Sequence, residues 1–171
     1  WLLARYASST FNQCTHARLP EMSGPPMEIH LKDGAVPKNF STPSTVPMHW
    51  HAMVKEQLDS DERLGVIEKV TEPSAWCHRM VVVGKPDGTP RRTVDLQPLN
   101  KWCDRETWVT DPPAKMARRV TRGAWKTVTD AWNGYHSVPL RQEDRHLTTF
   151  TTPWGRYRYC RNPQGFVGAG D

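Results

Sequence analysis

The sequence lacks a long apolar run and lacks cysteines spaced in pairs. No stretch approaches the about 20 apolar residues of a membrane-spanning helix, and the opening Trp1-Leu-Leu-Ala has neither the basic start nor the long apolar centre of a secretory signal. The four cysteines are too isolated for a zinc site; they are Cys14, Cys77, Cys103 and Cys160. We therefore expect an intracellular protein, not secreted and without membrane contact, whose thiols are free and buried.

The composition is poor in hydrophobic residues and has an excess of basic ones. Hydrophobic residues make up 37% of the 171 positions, and the net charge is +5 at pH 7. This length suits one domain or part of a larger one, and we expect a piece of a longer polypeptide. The charge favours a polyanionic partner, although basic clusters such as Arg118-Arg119 are also explained as solvated faces.

Prolines and hydrophobic spacing divide the chain. Residues 1–47 contain six prolines, each of which restricts φ and removes a backbone donor. We predict that this segment lies extended over the body or forms a linker. From Met48 onward, apolar residues recur at helical spacing, and Gly65 predicts the end of that helix; the apolar positions are Trp50, Met53, Val54 and Leu58.

Short β-prone segments follow the predicted helix, at residues 66–70, 80–83, 91–94, 126–129, 147–151 and 156–160. Pro86-Asp-Gly88 predicts a turn, because proline presets φ, Asp bonds its own backbone and Gly accepts positive φ. The turn makes residues 80–94 a hairpin with Lys85 and Arg91 at its shoulders. A helical turn at residues 143–146 and a turn at residues 153–155 complete the pattern. Strands mixed with helices and hairpins predict an α+β fold.

Asp130 follows the β-prone residues 126–129 and precedes a turn-rich stretch. A carboxylate at the end of a strand is well placed to hold a metal ion. Tyr135, five residues later, can then lie beside whatever the metal holds. From the local residues alone, a capping Asp after a strand is the simpler interpretation.

Six segments in a fixed order change that interpretation. They are Gly65-Val-Ile-Glu68, Val82-Val-Gly-Lys-Pro-Asp-Gly88, Arg92-Thr-Val-Asp-Leu-Gln-Pro-Leu-Asn100, Asp130-Ala-Trp-Asn-Gly-Tyr-His136, Thr148-Thr-Phe-Thr-Thr-Pro153 and Pro163-Gln-Gly165. In order and spacing they resemble a reverse transcriptase of the gypsy-type LTR retrotransposon and retroviral family. The resemblance implies the fingers and part of the palm of a right-hand polymerase. Residues 1–47 would be an extended Pro-rich connector, residues 48–124 the fingers and residues 125–171 the first part of the palm.

The resemblance implies a nucleotidyltransferase that uses two Mg²⁺ ions. Such ions lie about 3.5–4 Å apart, activate the attacking hydroxyl and stabilise the leaving pyrophosphate. Asp130 corresponds to the first metal-binding and catalytic carboxylate, and the backbone carbonyl of Ala131 to a second metal ligand. The family's later motif, an aromatic residue followed by two adjacent aspartates, does not occur in this chain. We therefore expect this chain to be inactive alone.

The resemblance also assigns contacts to the incoming nucleotide. Lys85 and Arg91 correspond to the residues that grip the triphosphate, for which the arginine fork is suited. Arg92 is adjacent, so the choice between the two arginines stays open. Tyr135 corresponds to the aromatic residue that excludes a 2′-hydroxyl, and Gln164 to a nucleotide-contacting glutamine. The alternatives are a solvated basic hairpin for the cations and a core position for Tyr135.

Two further positions of the matching segments have less certain roles. Gln97 stands where family members often have arginine, which puts a template contact there in doubt. Asp95 is expected to cap the chain locally. Gly165, beside Gln164, allows the backbone to approach a ligand closely.

The implied partners are an RNA or DNA template-primer, deoxynucleoside triphosphates, and the remaining polymerase and RNase H segments of the parent polyprotein. The working place would be the cytoplasm, the nucleus or a retroelement particle. Two other functions remain open. In the first, the chain is a non-catalytic nucleic-acid-binding remnant. In the second, it is an inert remnant, since half a palm leaves strand edges unpaired.

Overall fold

The computed structural model describes residues 1, 5, 19–105, 109, 111–128 and 133–170. Within these residues the helices are α1 (His51–Arg63), α2 (Gln97–Asn100) and α3 (Pro113–Ala117). The strands are β1 (Ile67–Val70), β2 (His78–Gly84), β3 (Pro90–Asp95), β4 (Phe150–Thr152) and β5 (Gly155–Tyr159). Shorter 3₁₀ segments are Met48–Trp50, Tyr135–Ser137 and Gln142–Thr148. The predicted α+β fold is confirmed.

One five-stranded sheet carries the described part of the chain, in the order β1-β5-β4-β2-β3. Every neighbouring pair is antiparallel except β2 and β4, which run parallel. The predicted hairpin is confirmed as β2 and β3, paired from Gly84 opposite Pro90 to Arg79 opposite Asp95. Its turn is closed by the Lys85 amide, which donates to the Thr89 carbonyl at 2.8 Å. The returning strand β3 lies at the edge of the sheet.

Helix α1 covers this sheet with one apolar face. Val54 and Leu58 are completely buried because residues four apart lie on the same side of a helix. Met53, which belongs to the same apolar pattern, is 42% exposed, since it points about a quarter turn away from Val54. Beneath the helix, the rings of Phe150 and Tyr157 stack with their centroids 6.0 Å apart. The core thus lies between α1 and the middle of the sheet.

Residues 19–47 lie extended against the body and contribute to its core. Leu19, Ile29 and Val46 are buried in the same hydrophobic cluster as α1. Isolated bridges join Met27 to Leu140 and Asn39 to Cys77. These contacts explain how a proline-rich segment can be ordered without a helix or a strand of its own.

The threonine-rich segment before β5 is buried and its hydroxyls are hydrogen-bonded. Thr148 donates to the Arg145 carbonyl at 2.8 Å and accepts from the Tyr159 amide at 3.0 Å. The prediction of a strand at residues 147–151 is therefore wrong at its start. Residues 142–148 form a 3₁₀ segment in which hydroxyls bond local carbonyls, and the strand begins only at Phe150.

The predicted strand at residues 126–129 is also wrong where the structure describes it. Residues 126–128 are irregular and exposed, with Val128 at 93% exposure. A β-prone sequence forms a strand only where another strand accepts its hydrogen bonds, and none does so for residues 126–128 within the described part of the chain. Thr129 lies outside the described residues.

Three of the cysteines confirm the expectation of free, buried thiols. They are Cys77, Cys103 and Cys160, and Cys14 lies outside the described residues. Burial raises the pKa of the Cys103 and Cys160 thiols to about 11 each. Both are therefore protonated near neutral pH and poor nucleophiles. Among the described helices, none has the length and apolarity to cross a bilayer.

Replacing Leu58 with alanine is expected to lower the free energy of unfolding by about 2–5 kcal/mol, because the change leaves a cavity under α1. Met53→Ala, on the exposed side of the same helix, is the matched control and should stay within about 0.5 kcal/mol of the parent. Urea unfolding followed by circular dichroism measures both. Equal losses for the two variants would show that α1 is not seated on this face.

Candidate functional site

A cleft of about 510 Å³ opens between α1, the β2–β3 hairpin and the loop that follows β5. Its volume lies within the range of small-molecule sites. Lys85 and Arg91 line it from the hairpin, and Gln164 lines it from the loop. These three residues were predicted from separate sequence segments, and the fold brings them to one cavity. What they bind there stays a prediction.

Lys85 and Arg91 carry the unpaired positive charge of the cleft. Both are exposed, and neither has an ion-pair partner within the described part of the chain. Arg92, by contrast, has a side chain only 7% exposed and forms an ion pair with Asp61 of α1. Its guanidinium carbon also lies 5.9 Å from the centre of the Phe150 ring. Of the two adjacent arginines, Arg91 is therefore the one whose charge is available to a ligand.

The loop that carries Gln164 is held by a side chain from α2. The Asn100 amide nitrogen donates to the Gly165 carbonyl at 2.9 Å, and its oxygen accepts from the Val167 amide at 3.0 Å. Gly165 has φ of 90°, a conformation that favours glycine. Sequence reasoning quoted Asn100 only as the end of a motif and missed its role. A single asparagine offers a donor and an acceptor, which suits it to bridge two backbone groups.

The inner wall of the cleft is polar and partly aromatic. His136 stacks on Tyr159, with ring centroids 6.1 Å apart and planes at 30°. Burial lowers the pKa of His136; the nearby Asp61 carboxylate opposes this shift, and Arg92 and Arg161 reinforce it. Burial raises the pKa of Tyr159. Both rings are therefore uncharged near neutral pH. Sequence reasoning did not single out Asp61, His136 or Tyr159 for this wall.

Other predicted site residues lie elsewhere or outside the described residues. Tyr135 is 46% exposed, which argues against a core position, and it does not line the cleft although Asn133 and His136 do. Asp130 and Ala131 fall outside the described residues. Among the residues that are described, no group of three His, Cys, Asp or Glu side chains is arranged to hold a metal ion.

Two positions of the Arg92–Asn100 segment show how it is built. The Asp95 carboxylate accepts a hydrogen bond from the Gln97 amide at 3.1 Å, which confirms the expected local cap. Gln97 begins α2 and is exposed. The short helix that follows this cap delivers Asn100 to the Gln164 loop.

Sequence relatives of the chain are polyproteins of retroviruses and a retrotransposon. It is 34% identical over 85 residues to the Pro-Pol polyprotein of Simian foamy virus type 1, which covers 50% of this chain and 7% of the polyprotein. It is 27% identical over 150 residues to the Gag-Pol polyprotein of Walleye dermal sarcoma virus, covering 84% and 8%. The Transposon Tf2-3 polyprotein of Schizosaccharomyces pombe is 28% identical over 128 residues, covering 75% and 9%. No family model matches the chain.

Solved structures of protease-reverse transcriptases share the fold of this chain. Prototype Foamy Virus Protease-Reverse Transcriptase aligns with a TM-score of 0.80 at 23% identity, covering 98% of this chain and 22% of that one. The foamy viral protease-reverse transcriptase in complex with RNA/DNA hybrid aligns with a TM-score of 0.80 at 21% identity, with the same coverage. The resemblance seen in the sequence is thus confirmed. The homologues are Pol-type polyproteins, the fold is that of a protease-reverse transcriptase segment, and the chain spans under a tenth of those polyproteins.

The protonation of His136 predicts how stability depends on pH. Because burial lowers its pKa in the folded chain, the unfolded chain binds more protons as the pH falls through the ordinary histidine value of about 6.5. The contribution of His136 to stability is therefore fully present above that value and is lost as the pH falls. The urea midpoint should therefore drop between about pH 7.5 and about pH 5.5.

His136→Gln should reduce this drop, and His49→Gln, at an exposed position, should leave it unchanged. Part of the drop should persist in the first variant, because burial also lowers the pKa of His78. A midpoint that rises on acidification, or a drop of the same size in all three proteins, would contradict the assignment of His136 as a buried neutral ring.

Proposed function

We propose that this chain is the fingers and the first part of the palm of a reverse transcriptase. The complete protein would extend a primer with deoxynucleotides on an RNA or DNA template by two-metal phosphoryl transfer. The observation that carries the proposal is the convergence of Lys85, Arg91 and Gln164 on one cleft. The relatives support it, since they are Pol-type polyproteins and include a foamy viral enzyme solved with RNA/DNA hybrid.

In this proposal the cleft binds the triphosphate of the incoming nucleotide. Lys85 supplies a point charge and Arg91 a planar fork of donors that fits two phosphate oxygens at once. Because the neighbouring Arg92 is neutralised by Asp61, the anion is drawn to the outer cations and not to the cleft's inner wall. Gln164 contacts the nucleotide from the opposite loop. Tyr135 would pack against the sugar and exclude a 2′-hydroxyl.

The described residues do not by themselves fit two Mg²⁺ ions. Mg²⁺ prefers carboxylate, carbonyl and phosphate oxygens, and the Asp61 carboxylate in the cleft is engaged by Arg92. Asp130 and the Ala131 carbonyl remain our proposed first metal ligands. The other carboxylates must come from the remaining polymerase segments of the parent polyprotein, which also carry RNase H. We therefore derive no chemical step through a metal from this chain, and we expect the chain alone to be inactive.

A second candidate function is nucleic-acid binding without catalysis. The net charge of +5 favours it. Binding through lysine and arginine releases counterions and weakens steeply with salt. This candidate requires only the template-primer as partner, whereas the polymerase also requires deoxynucleoside triphosphates. Within a cell or a retroelement particle, the cleft would therefore bind a deoxynucleoside triphosphate only if the protein is a polymerase.

Arg91→Ala is expected to weaken binding of a deoxynucleoside triphosphate to this chain by about 1.5–3 kcal/mol, the usual value of a charge-assisted hydrogen bond. Arg63→Ala is the matched control, since Arg63 lies at the end of α1 and pairs with Glu56 at 2.9 Å. Isothermal titration calorimetry with dATP measures both. If the parent chain binds RNA/DNA hybrid in a salt-sensitive way but does not bind dATP, the non-catalytic function is favoured.

Asp130→Asn in the complete parent protein is expected to abolish Mg²⁺-dependent primer extension, because one metal ligand loses its charge. Binding of the template-primer should persist, since it depends on lysines and arginines. A gel-based extension assay and a filter-binding assay separate the two effects. Extension at the parent rate by this variant would exclude the polymerase assignment of Asp130.

A further inference from the structure

We propose that Gln57 and Asp61 are positioning residues that clamp the β2–β3 hairpin to α1. By doing so they fix the position of the backbone that carries Lys85 and Arg91 at the cleft. This inference rests on the proposed function and adds to it which residues outside the phosphate grip determine the affinity for a triphosphate.

The clamp consists of three contacts, one from the 3₁₀ turn that leads into α1 and two from α1 itself. Trp50, in the 3₁₀ turn that leads into α1, donates from its indole nitrogen to the Gly88 carbonyl at 3.3 Å. The Gln57 amide nitrogen donates to the Pro90 carbonyl at 3.0 Å. The Asp61 carboxylate forms its ion pair with Arg92.

The contacting residues are regularly spaced along both the helix and the returning arm of the hairpin. The helical partners recur at multiples of the about 3.6-residue turn, so they lie in one line along the helix. Their targets are Gly88, Pro90 and Arg92, which are every second residue of the returning arm of the hairpin. A strand presents alternate residues in the same way along its length. The helix and the returning arm therefore run side by side, with the three contacts in the same order along both.

The hairpin depends on this clamp because β3 is the edge of the sheet. Proline at such an edge has no amide to donate, and the Pro90 carbonyl is bonded by Gln57. The other arm is equally close to the helix: a Cβ added to Gly84 would stand 2.9 Å from the Trp50 ring. Apart from its pairing with β2, the edge strand β3 is thus held by α1.

Of the proposed phosphate-gripping cations, Arg91 lies between two clamped positions and Lys85 lies at the start of the turn of the same hairpin. Arg91 is flanked by Pro90 and Arg92, both of which are held by α1. Lys85 opens the turn, and its amide is bonded to Thr89 at 2.8 Å. Neither cation is restrained through its own side chain by an ion pair within the described residues, so the backbone that carries them must be restrained instead.

Gln57 also lines the cleft, so a direct contact with ligand is the competing explanation. The two explanations differ in additivity. If Gln57 touched the ligand independently, its loss would add to the loss of Arg91. If Gln57 acts by placing Arg91 and Lys85, its loss should matter less once Arg91 is gone.

The test measures binding of inorganic tripolyphosphate by calorimetry and hydrogen exchange of backbone amides. Gln57→Leu removes the donor and leaves an apolar side chain that is one atom shorter. We expect affinity to fall about 2- to 10-fold, the usual effect of one neutral hydrogen bond. The Lys85 amide should exchange faster by a similar factor. The Cys160 amide, bonded to Val66 at 2.8 Å on the far side of the sheet, should be unaffected. In the Arg91→Ala background, Gln57→Leu should cause a smaller further loss of affinity, because only Lys85 is then left to be misplaced.

The control variant is Glu56→Gln, which alters only an exposed ion pair with Arg63 on the same helix. It should leave both readouts at the parent values. Asp61→Glu keeps the charge that Arg92 needs, and by lengthening the side chain it should shift the hairpin and weaken binding without unfolding the chain. Removal of the Asp61 charge would leave the Arg92 guanidinium buried and unpaired, which destabilises the fold.

Two results would overturn the proposal: unchanged exchange of the Lys85 amide in Gln57→Leu, or additive losses in the double variant. If the parent chain does not bind tripolyphosphate, the proposed function fails at its phosphate grip. The exchange rates then decide on their own whether α1 clamps the hairpin. Failure of the clamp and failure of the proposed function are therefore distinguishable.

Discussion

The ion pair between Asp61 and Arg92 joins the two elements on which the cleft depends, the helix α1 and the edge strand β3. The Arg92 side chain is 7% exposed and that of Asp61 is 20% exposed, so both charges have lost most of their water. A desolvated charge is tolerated only with a partner of opposite sign in good geometry. The pair therefore ties the hairpin to the helix and also removes the inner arginine from competition for an anionic ligand.

The electrostatics of the cleft follow from this arrangement. With Arg92 neutralised, His136 held uncharged by burial and Tyr159 protonated, the inner wall carries little net charge. The outer rim carries Lys85 and Arg91, both exposed. An anion entering the cleft meets positive charge at the rim and a polar, uncharged wall behind it. Such a division suits a ligand with a charged tail and a neutral remainder, as a nucleoside triphosphate has.

Several features of the fold were predictable because they depend on local chemistry. Pro86-Asp-Gly88 favours a turn through the backbone preferences of its own residues, and the hairpin formed around it. Val54 and Leu58 lie four residues apart, so they predicted the buried face of α1. The failures also have physical causes. Residues 126–128 are β-prone but have no partner strand in the described part of the chain. Residues 142–148 form a 3₁₀ segment. The hydroxyls of Thr148 and Thr149 bond nearby carbonyls at its end, and such local bonds compete with the pairing of a strand.

The sequence by itself determined the resemblance to reverse transcriptases and the residues that carry it. The ordered motifs indicated the resemblance and predicted Lys85, Arg91 and Gln164 as candidate residues. They could do so because chemistry on phosphate requires particular residue types at particular spacings. Only the tertiary structure showed that Arg91 is exposed while Arg92 is buried and paired with Asp61, since that pairing depends on a helix 31 residues away. It likewise revealed Asn100, Gln57 and His136, whose contacts join segments distant in the chain. Such contacts follow from how the sheet, the helix and the loop pack together, which no local pattern encodes.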